Sequence, residues 1–251
     1  MTLADILRKY SPALVALSGG TDSMTLLAAC VKYGVPVSAA TIISEFTVPA
    51  ETSRAEKFCM ELGVDWVPVR VSILIDEKMR YNPADRCYFC KKIIMTKLLE
   101  AADGRFVFDG THADDLTAER PGKKALSELS IISPFALAGI GKAEIYTLAK
   151  ELGVPITPPS SCLATRVPFG EEVTIEKLEK IAAVEAFLRN KGITGILRVR
   201  LVSGGAVVET EKHVMERAEL YKDDLKIFGF STIQISEYKC GGTNSWNKTE
   251  H

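Results

Sequence analysis

Residues 13–24 read ALVALSGGTDSM. The apolar run ALVAL (13–17) has the length and character of a short buried strand. Gly19 and Gly20 then let the backbone approach a bound group with no Cβ in the way. Asp22 and Ser23 open an apolar helical stretch, MTLLAACVKYG. A strand that passes through glycines into a helix N-terminus offers free N–H groups and the positive end of a helix dipole to an anion. Ser18, Thr21 and Ser23 add hydroxyl donors, and Asp22 is available to hold a magnesium ion. The lysine of a Walker A loop is missing, so the stretch predicts a pyrophosphate held by neutral donors. The competing reading is a tight strand-to-helix turn with no ligand.

Outward from this turn, strand and helix signals alternate. VPVSAATII (35–43) and VDWVPVRVSI (64–73) read as strands, with the amphipathic helix AETSRAEKFCMELG between them. NPADRCYFCKK (82–92) leads into the helix IIMTKLLEAA, the strand RFVFDG and the turn THADD. The apolar SIISPFAL and the helix GKAEIYTLAKELG follow. This alternation predicts an α/β fold, a doubly wound, mostly parallel sheet with helices on both faces. Ligands of such sheets sit beyond the carboxyl ends of the strands, so the loops at 18–23, 44–49 and 109–115 are expected to face one crevice.

Pro155, Pro158 and Pro159 break helix and mark a linker. The expected division is a nucleotide-binding domain over 1–158 and a small α/β C-terminal domain over 159–251. In the latter, Thr174 is placed to cap the helix TIEKLEKIAAVEAFLRNKG, and a turn at 203–205 joins GILRVRLV and GGAVVETE as a hairpin. A charged helix from about Glu211 to Leu225 and the strand FSTIQISEY complete it.

The chain has 251 residues, 31 Lys and Arg against 32 Asp and Glu. That balance favours a small-molecule substrate over nucleic acid, which calls for a basic surplus. No apolar run reaches the roughly 18 to 20 residues of a membrane span, and MTLADILRKY lacks the apolar core of a signal peptide; the expected location is the cytoplasm. Of six cysteines, Cys30 and Cys59 lie in apolar helical patterns and read as core, and Cys240 is unassigned. Cys87 and Cys90 form a C-x-x-C pair, and Cys162 follows the proline linker. Three thiolates with a vacant fourth position suit a [4Fe-4S] cluster; zinc completed by His112 or Cys240, and plain packing, are the alternatives. His112 itself reads as a surface loop residue. Arg198 and Arg200 lie two apart on a strand and share a face; with Arg166 they offer guanidinium forks to a phosphate or carboxylate. The alternative is an exposed strand face paired with acids such as Glu209.

The SGGTDS segment resembles the PP-loop of the N-type ATP pyrophosphatases. The resemblance implies a doubly wound sheet, cleavage of ATP between the α- and β-phosphates, and adenylation of a substrate oxygen before a nucleophile displaces AMP. It implies that Ser18, Gly19, Gly20, Thr21, Asp22 and Ser23 hold pyrophosphate and that Gly110, Thr111 and Asp114 in DGTHADD line the nucleotide site. Arg120, in ERPG, is a further nucleotide candidate. Over nearly the full length, SGGTDS, RCYFCK, FDGTHADD, ERPG, PSSCLATRVPFG and RVR look like the ATP-dependent sulfur transferases that build the nickel-pincer nucleotide of lactate racemase. Members of that family convert the carboxylates of pyridinium-3,5-biscarboxylic acid mononucleotide to thiocarboxylates. In one branch a cysteine matching Cys162 gives up its sulfur and becomes dehydroalanine; in another, cysteines matching Cys87, Cys90 and Cys162 bind a cluster that carries the sulfur. The family's C-L-A-S-R reads CLATR here, with Thr165 keeping the hydroxyl. The implied partners are a nucleotide-like substrate, a sulfide source and further copies of the chain. A tRNA-thiolating enzyme is the rival reading, weakened by the even charge.

Overall fold

The computed structural model describes residues 1–117 and 122–239. Arg120 and Cys240 lie outside the described residues. The chain forms two compact units: Met1–Ile73 with Asp85–Thr157, and Leu74–Ala84 with Pro158–His251.

The first unit opens with α1 (Leu3–Lys9), whose first turn is closed by a reciprocal capping pair of Thr2 and Asp5. Then follow β1 (Ala13–Ala16), α2 (Thr21–Lys32), β2 (Val37–Ile43), α3 (Pro49–Leu62) and β3 (Trp66–Arg70). The chain passes through α4 (Glu77–Arg80), which belongs to the second unit, and returns with α5 (Arg86–Ala102) and β4 (Phe106–Phe108). Four more helices follow: α6 (Ala113–Thr117), α7 (Gly122–Glu128), α8 (Pro134–Leu137) and α9 (Lys142–Glu151). All strand pairings are parallel, in the order β3-β2-β1-β4. Alternate strand residues point to opposite faces. Ala13, Val15 and Ala39 pack with α2, α3 and α9 on one face, while Leu14, Ala40 and Val107 meet Met95 and Leu98 of α5 and Leu126 of α7 on the other. This is the expected doubly wound sheet, buried on both faces.

Two local readings of this unit need correction. The third strand is five residues long, not the ten of VDWVPVRVSI. The C-x-x-C pair does not precede its helix but lies within the first turns of α5, which begins at Arg86. SIISPFAL forms a single bridge, Ile132 to Phe108, and then α8.

In the second unit, a 3-10 turn (Leu163–Arg166) precedes α10 (Ile175–Asn190), whose Thr174 cap accepts from Lys177 N–H. The strands β5 (Leu197–Val202), β6 (Gly205–Thr210) and β7 (Thr232–Glu237) make a mixed sheet in that order, β5–β6 antiparallel and β6–β7 parallel. The central β6 is buried at every position. The long charged helix expected between the last two strands breaks into a 3-10 turn (Lys212–Val214), α11 (Met215–Glu219) and a 3-10 turn (Asp224–Phe228). Only Val214, Ala218 and Leu225 are buried there, and without a continuous apolar stripe a long helix has too little packing to hold it. Residues 74–84 join this unit through Asn82, a fully buried side chain whose amide donates to the carbonyls of Ala164 (3.2 Å), Val167 (2.6 Å) and Pro168 (3.0 Å).

No helix among the described residues is long and apolar enough to cross a membrane.

Candidate functional site

The β1–α2 turn is built around Gly19. Its φ of +76° is left-handed, and a Cβ there would lie 2.2 Å from the Glu51 carbonyl at the start of α3. Arg54 of α3 closes the contact, donating from Nη1 to the Gly19 carbonyl at 2.8 Å. Within the turn, Ser18 N–H donates to Ser23 Oγ at 3.1 Å, the two serine hydroxyls lie 3.1 Å apart, and Ser23 Oγ donates to the Gly20 carbonyl. These hydroxyls hold the turn's shape. Gly20, at the N-cap of α2, has no side chain to offer the N–H groups of the first helical turn, which leaves them for another acceptor. That of Thr21 meets the Thr157 hydroxyl at 3.3 Å.

The second loop closes on the first. A Cβ on Gly110 would approach Ser23 N to 3.1 Å. Asp109, buried at the end of β4, accepts from the hydroxyls of Thr111 (2.6 Å) and Ser133 (2.5 Å), and Lys91 Nζ stands 3.8 Å from it. Asp114 accepts the Lys142 N–H at 2.7 Å, and Lys142 Nζ reaches across to pair with Asp22. Lys142 thus joins the two loops with its backbone and its side chain. Lys142 of α9 and Lys91 of α5 bring ammonium groups to Asp22 and Asp109. Sequence reasoning missed both; the one local signal for Lys142 is its place directly after a glycine at a helix start. His112 is buried, not on the surface, with Nδ1 3.7 Å from Asp114 and Nε2 3.4 Å from Asp115. The third loop holds Glu45, whose carboxylate accepts the Ser72 hydroxyl and, at 2.9 Å, the Ile73 N–H.

Cys87 is exposed and Cys90 half-buried, one helical turn apart on α5. Tyr88 between them donates to Glu128 of α7 at 2.9 Å, and Lys92 adds a bond to the same carboxylate. Burial pushes the Cys30 thiol up to about 12 and the Cys59 thiol up to about 11, so both stay protonated and inert. Cys162 is half-buried at the N-cap of the 3-10 turn in the second unit. Within each unit taken alone, the described residues gather no set of three or more His, Cys, Asp or Glu side chains able to hold a metal. For magnesium, carboxylate oxygens such as those of Asp22 are the fitting donors; for an iron cluster, thiols such as those of Cys87 and Cys90 on α5 are.

Of the arginines in the second unit, Arg166 and Arg200 each meet a buried acid. Arg166 is buried: Nε donates to Glu185 at 2.9 Å, and Nη1 donates to the Ser161 carbonyl (2.7 Å), the Cys162 carbonyl (3.2 Å) and the Thr165 hydroxyl (3.0 Å). Its guanidinium therefore binds the turn that carries Cys162. Arg200 donates from Nε to Glu209 at 2.7 Å and from Nη1 to the Thr165 carbonyl. Arg198 is half-buried, its guanidinium carbon 4.5 Å from the centre of the Tyr238 ring.

No family model matches the chain. It is 37% identical over 243 residues to an uncharacterized protein of Methanocaldococcus jannaschii, MJ0830, covering 91% of this chain and 90% of that one. It is 32% identical over 251 residues to an uncharacterized protein of Synechocystis, slr1717, covering 92% and 91%. A third relative, 28% identical over 256 residues and covering 97% of this chain and 92% of its own, is the pyridinium-3,5-bisthiocarboxylic acid mononucleotide synthase of Lactiplantibacillus plantarum. Among solved structures, NMN synthetase from Francisella tularensis shares the fold, with a TM-score of 0.51 at 19% identity over 63% of this chain and 72% of that one.

Proposed function

The chain belongs to the family of MJ0830 and slr1717, and we propose that it is an ATP-dependent sulfur transferase that converts carboxylates of pyridinium-3,5-biscarboxylic acid mononucleotide to thiocarboxylates in the cytoplasm. The observation that carries this reading is the end-to-end similarity to the L. plantarum synthase, whose name states such a product.

In this reading Ser18, Gly19, Gly20, Thr21, Asp22 and Ser23 hold the β- and γ-phosphates, with Gly110, Thr111, Asp114 and Arg120 lining the rest of the nucleotide. Asp22 would hold magnesium, and Lys142 and Lys91 neutralise phosphate charge. A substrate carboxylate oxygen attacks the α-phosphorus, the α–β bridging bond breaks, and pyrophosphate leaves. A sulfur nucleophile then adds to the acyl carbon, AMP departs and the thiocarboxylate remains. Fixed N–H groups and lysines stabilise charge on the leaving phosphates, which is where catalysis of such displacements gains most. Arg166, Arg198 and Arg200 form the anion-binding end for the substrate.

Cys87, Cys90 and Cys162 are the residues that would hold a [4Fe-4S] cluster. When bound, it supplies an iron with no protein ligand, able to carry sulfur. A sulfide source and further copies of this chain are the partners of this reading. A second reading has Cys162 donate its own sulfur and end as dehydroalanine.

The test is anaerobic purification and reconstitution, assay of iron and labile sulfide, and turnover with ATP, magnesium and the biscarboxylic nucleotide. The reading expects AMP and pyrophosphate only when the nucleotide is present, with iron lost in Cys87→Ala, Cys90→Ala and Cys162→Ala. Intact mass after turnover showing the loss of hydrogen sulfide at Cys162 selects the second reading. ATP left unchanged beside the substrate rejects both.

A further inference from the structure

Arg166 pairs with Glu185 at 2.9 Å and Arg200 with Glu209 at 2.7 Å, so each buried acid is spent on one arginine. Arg198 is the third cation. It lies directly opposite Glu209 in the β5–β6 register, yet that carboxylate leans along the ladder to Arg200. Among the described residues Arg198 makes no close ion pair, and Glu209 acts on it only at longer range. Burial lowers the Arg198 pKa, Arg166 and Arg200 lower it further, and Tyr238 and Glu209 offset part of that.

The ring under this cation is itself fixed. Tyr238 follows the last residue of β7, and its N–H donates to the Thr210 carbonyl at 2.8 Å, extending the β6–β7 ladder by one step. Its ring centre lies 4.5 Å from the guanidinium carbon. A planar guanidinium stacked on an aromatic face keeps its in-plane N–H edge for hydrogen bonding. Among the described residues that edge makes no hydrogen bond. The result is an oriented, part-desolvated donor fork with no acceptor of its own.

We propose that Tyr238 is a positioning residue that holds Arg198 flat, so that the Arg198 fork receives the phosphate monoester of the nucleotide substrate, while Arg166 and Arg200, held by Glu185 and Glu209, shape the rest of that anion-binding end. This rests on the proposed anion-binding end of the site. It adds a residue to that end and divides the labour among the three arginines.

The experiment is calorimetric titration of the full chain with nicotinamide mononucleotide and with its nucleoside, which lacks the phosphate. Parallel kinetics use the biscarboxylic nucleotide. Wild type is expected to bind the mononucleotide and not the nucleoside. Tyr238→Leu is expected to weaken mononucleotide binding about three- to tenfold and to raise KM more than it lowers kcat, while Tyr238→Phe keeps wild-type affinity. In the Arg198→Ala background, Tyr238→Leu adds no further loss, because the two residues act as one unit. Thermal unfolding of each variant separates these effects from misfolding. Equal loss in the Phe and Leu variants, or full additivity with Arg198→Ala, overturns the positioning role. A wild-type protein that binds mononucleotide and nucleoside alike overturns the anion-binding reading itself.

Discussion

Thr21 and Thr157 bind each other reciprocally. The Thr157 N–H donates to Thr21 Oγ1 at 2.9 Å, the Thr21 N–H meets Thr157 Oγ1 at 3.3 Å, and the two hydroxyls are 3.2 Å apart. The first N–H of α2, offered to phosphate in the proposed function, is thus occupied by a neutral hydroxyl from the residue just before Pro158. A charged phosphate oxygen is the stronger acceptor, so the two compete. Thr157→Val is expected to tighten pyrophosphate binding about two- to fivefold while lowering the stability of the free protein by about 1 kcal/mol. Calorimetric titration with magnesium pyrophosphate and urea denaturation measure the two. Weaker pyrophosphate binding in the variant would make Thr157 a helper of phosphate, not its competitor.

Gly19→Ala tests whether the glycine serves the turn. Its left-handed φ alone costs an alanine about 1–2 kcal/mol, and the new methyl would sit against the Glu51 carbonyl, which is backbone and cannot swing aside. The expected outcome is a loss of more than about 2 kcal/mol in urea denaturation together with weakened nucleotide binding. Gly20→Ala has no such neighbour, its nearest contact being the Ser18 hydroxyl at 3.4 Å, and is expected to keep nearly full stability.

Asn82→Ala removes a buried donor shared by three carbonyls and leaves an alanine at φ 45°. The expected cost is about 2–4 kcal/mol. Asn82→Gly, which relieves the backbone but not the carbonyls, is expected to recover only part of it. Chemical denaturation of the three proteins gives the comparison; equal stability of the Gly variant and wild type would show that the hydrogen bonds contribute nothing.

The buried thiols predict a pH response. Because Cys30 and Cys59 hold their protons up to about 12 and about 11 when folded, the unfolded chain ionises first as pH rises past about 8.5. The unfolded state then binds fewer protons, so this contribution lowers stability with rising pH across the window from about 9 to the folded values. Cys30→Ala with Cys59→Ala is expected to flatten that alkaline slope. At pH 8, a thiol reagent on the native protein is expected to label Cys87 and Cys162 and to spare Cys30 and Cys59, as mapped by peptide mass spectrometry.

The part of this molecule legible in its sequence is the part written in local patterns. ALVAL running into Gly19 and Gly20, and the alternation that follows, suffice for the parallel sheet, and RVR before the glycine turn for the hairpin. Local pattern fails where tertiary packing decides. CYFC looks like a loop because cysteine and two aromatics carry weak helix preference, yet the turn is helical where α7 covers it, with Tyr88 anchored on Glu128. The charged segment after Glu211 has helical spacing but too few buried anchors. Lys91 and Lys142 reach Asp109 and Asp22 across long stretches of chain, and single lysines carry no motif that would announce this. Arg166 and Arg200 have the residue type of anion binders; pairing of the RVR strand with Glu209 is already the alternative in the sequence, whereas the burial of that pair and the Arg166–Glu185 pair come from the fold.

A ribosome releases residues 74–84 well before it makes their partners. When Asn82 emerges, the carbonyls of Ala164, Val167 and Pro168 have not been synthesised, and the N–H of Val173 that will meet the Arg80 carbonyl is later still. The first sheet can assemble as β1 to β4 appear, but it must do so with this loop undocked and Met79, buried in the finished protein, still in water. A chain cut after Thr157 would keep that exposed loop, and one begun at Pro158 would lack the amide that ties its turns together. The two units are therefore not two consecutive genes' worth of protein joined end to end. Residues 74–84, delivered early, wait undocked for the second unit to follow, and a nascent chain halted in between leaves Met79 in water.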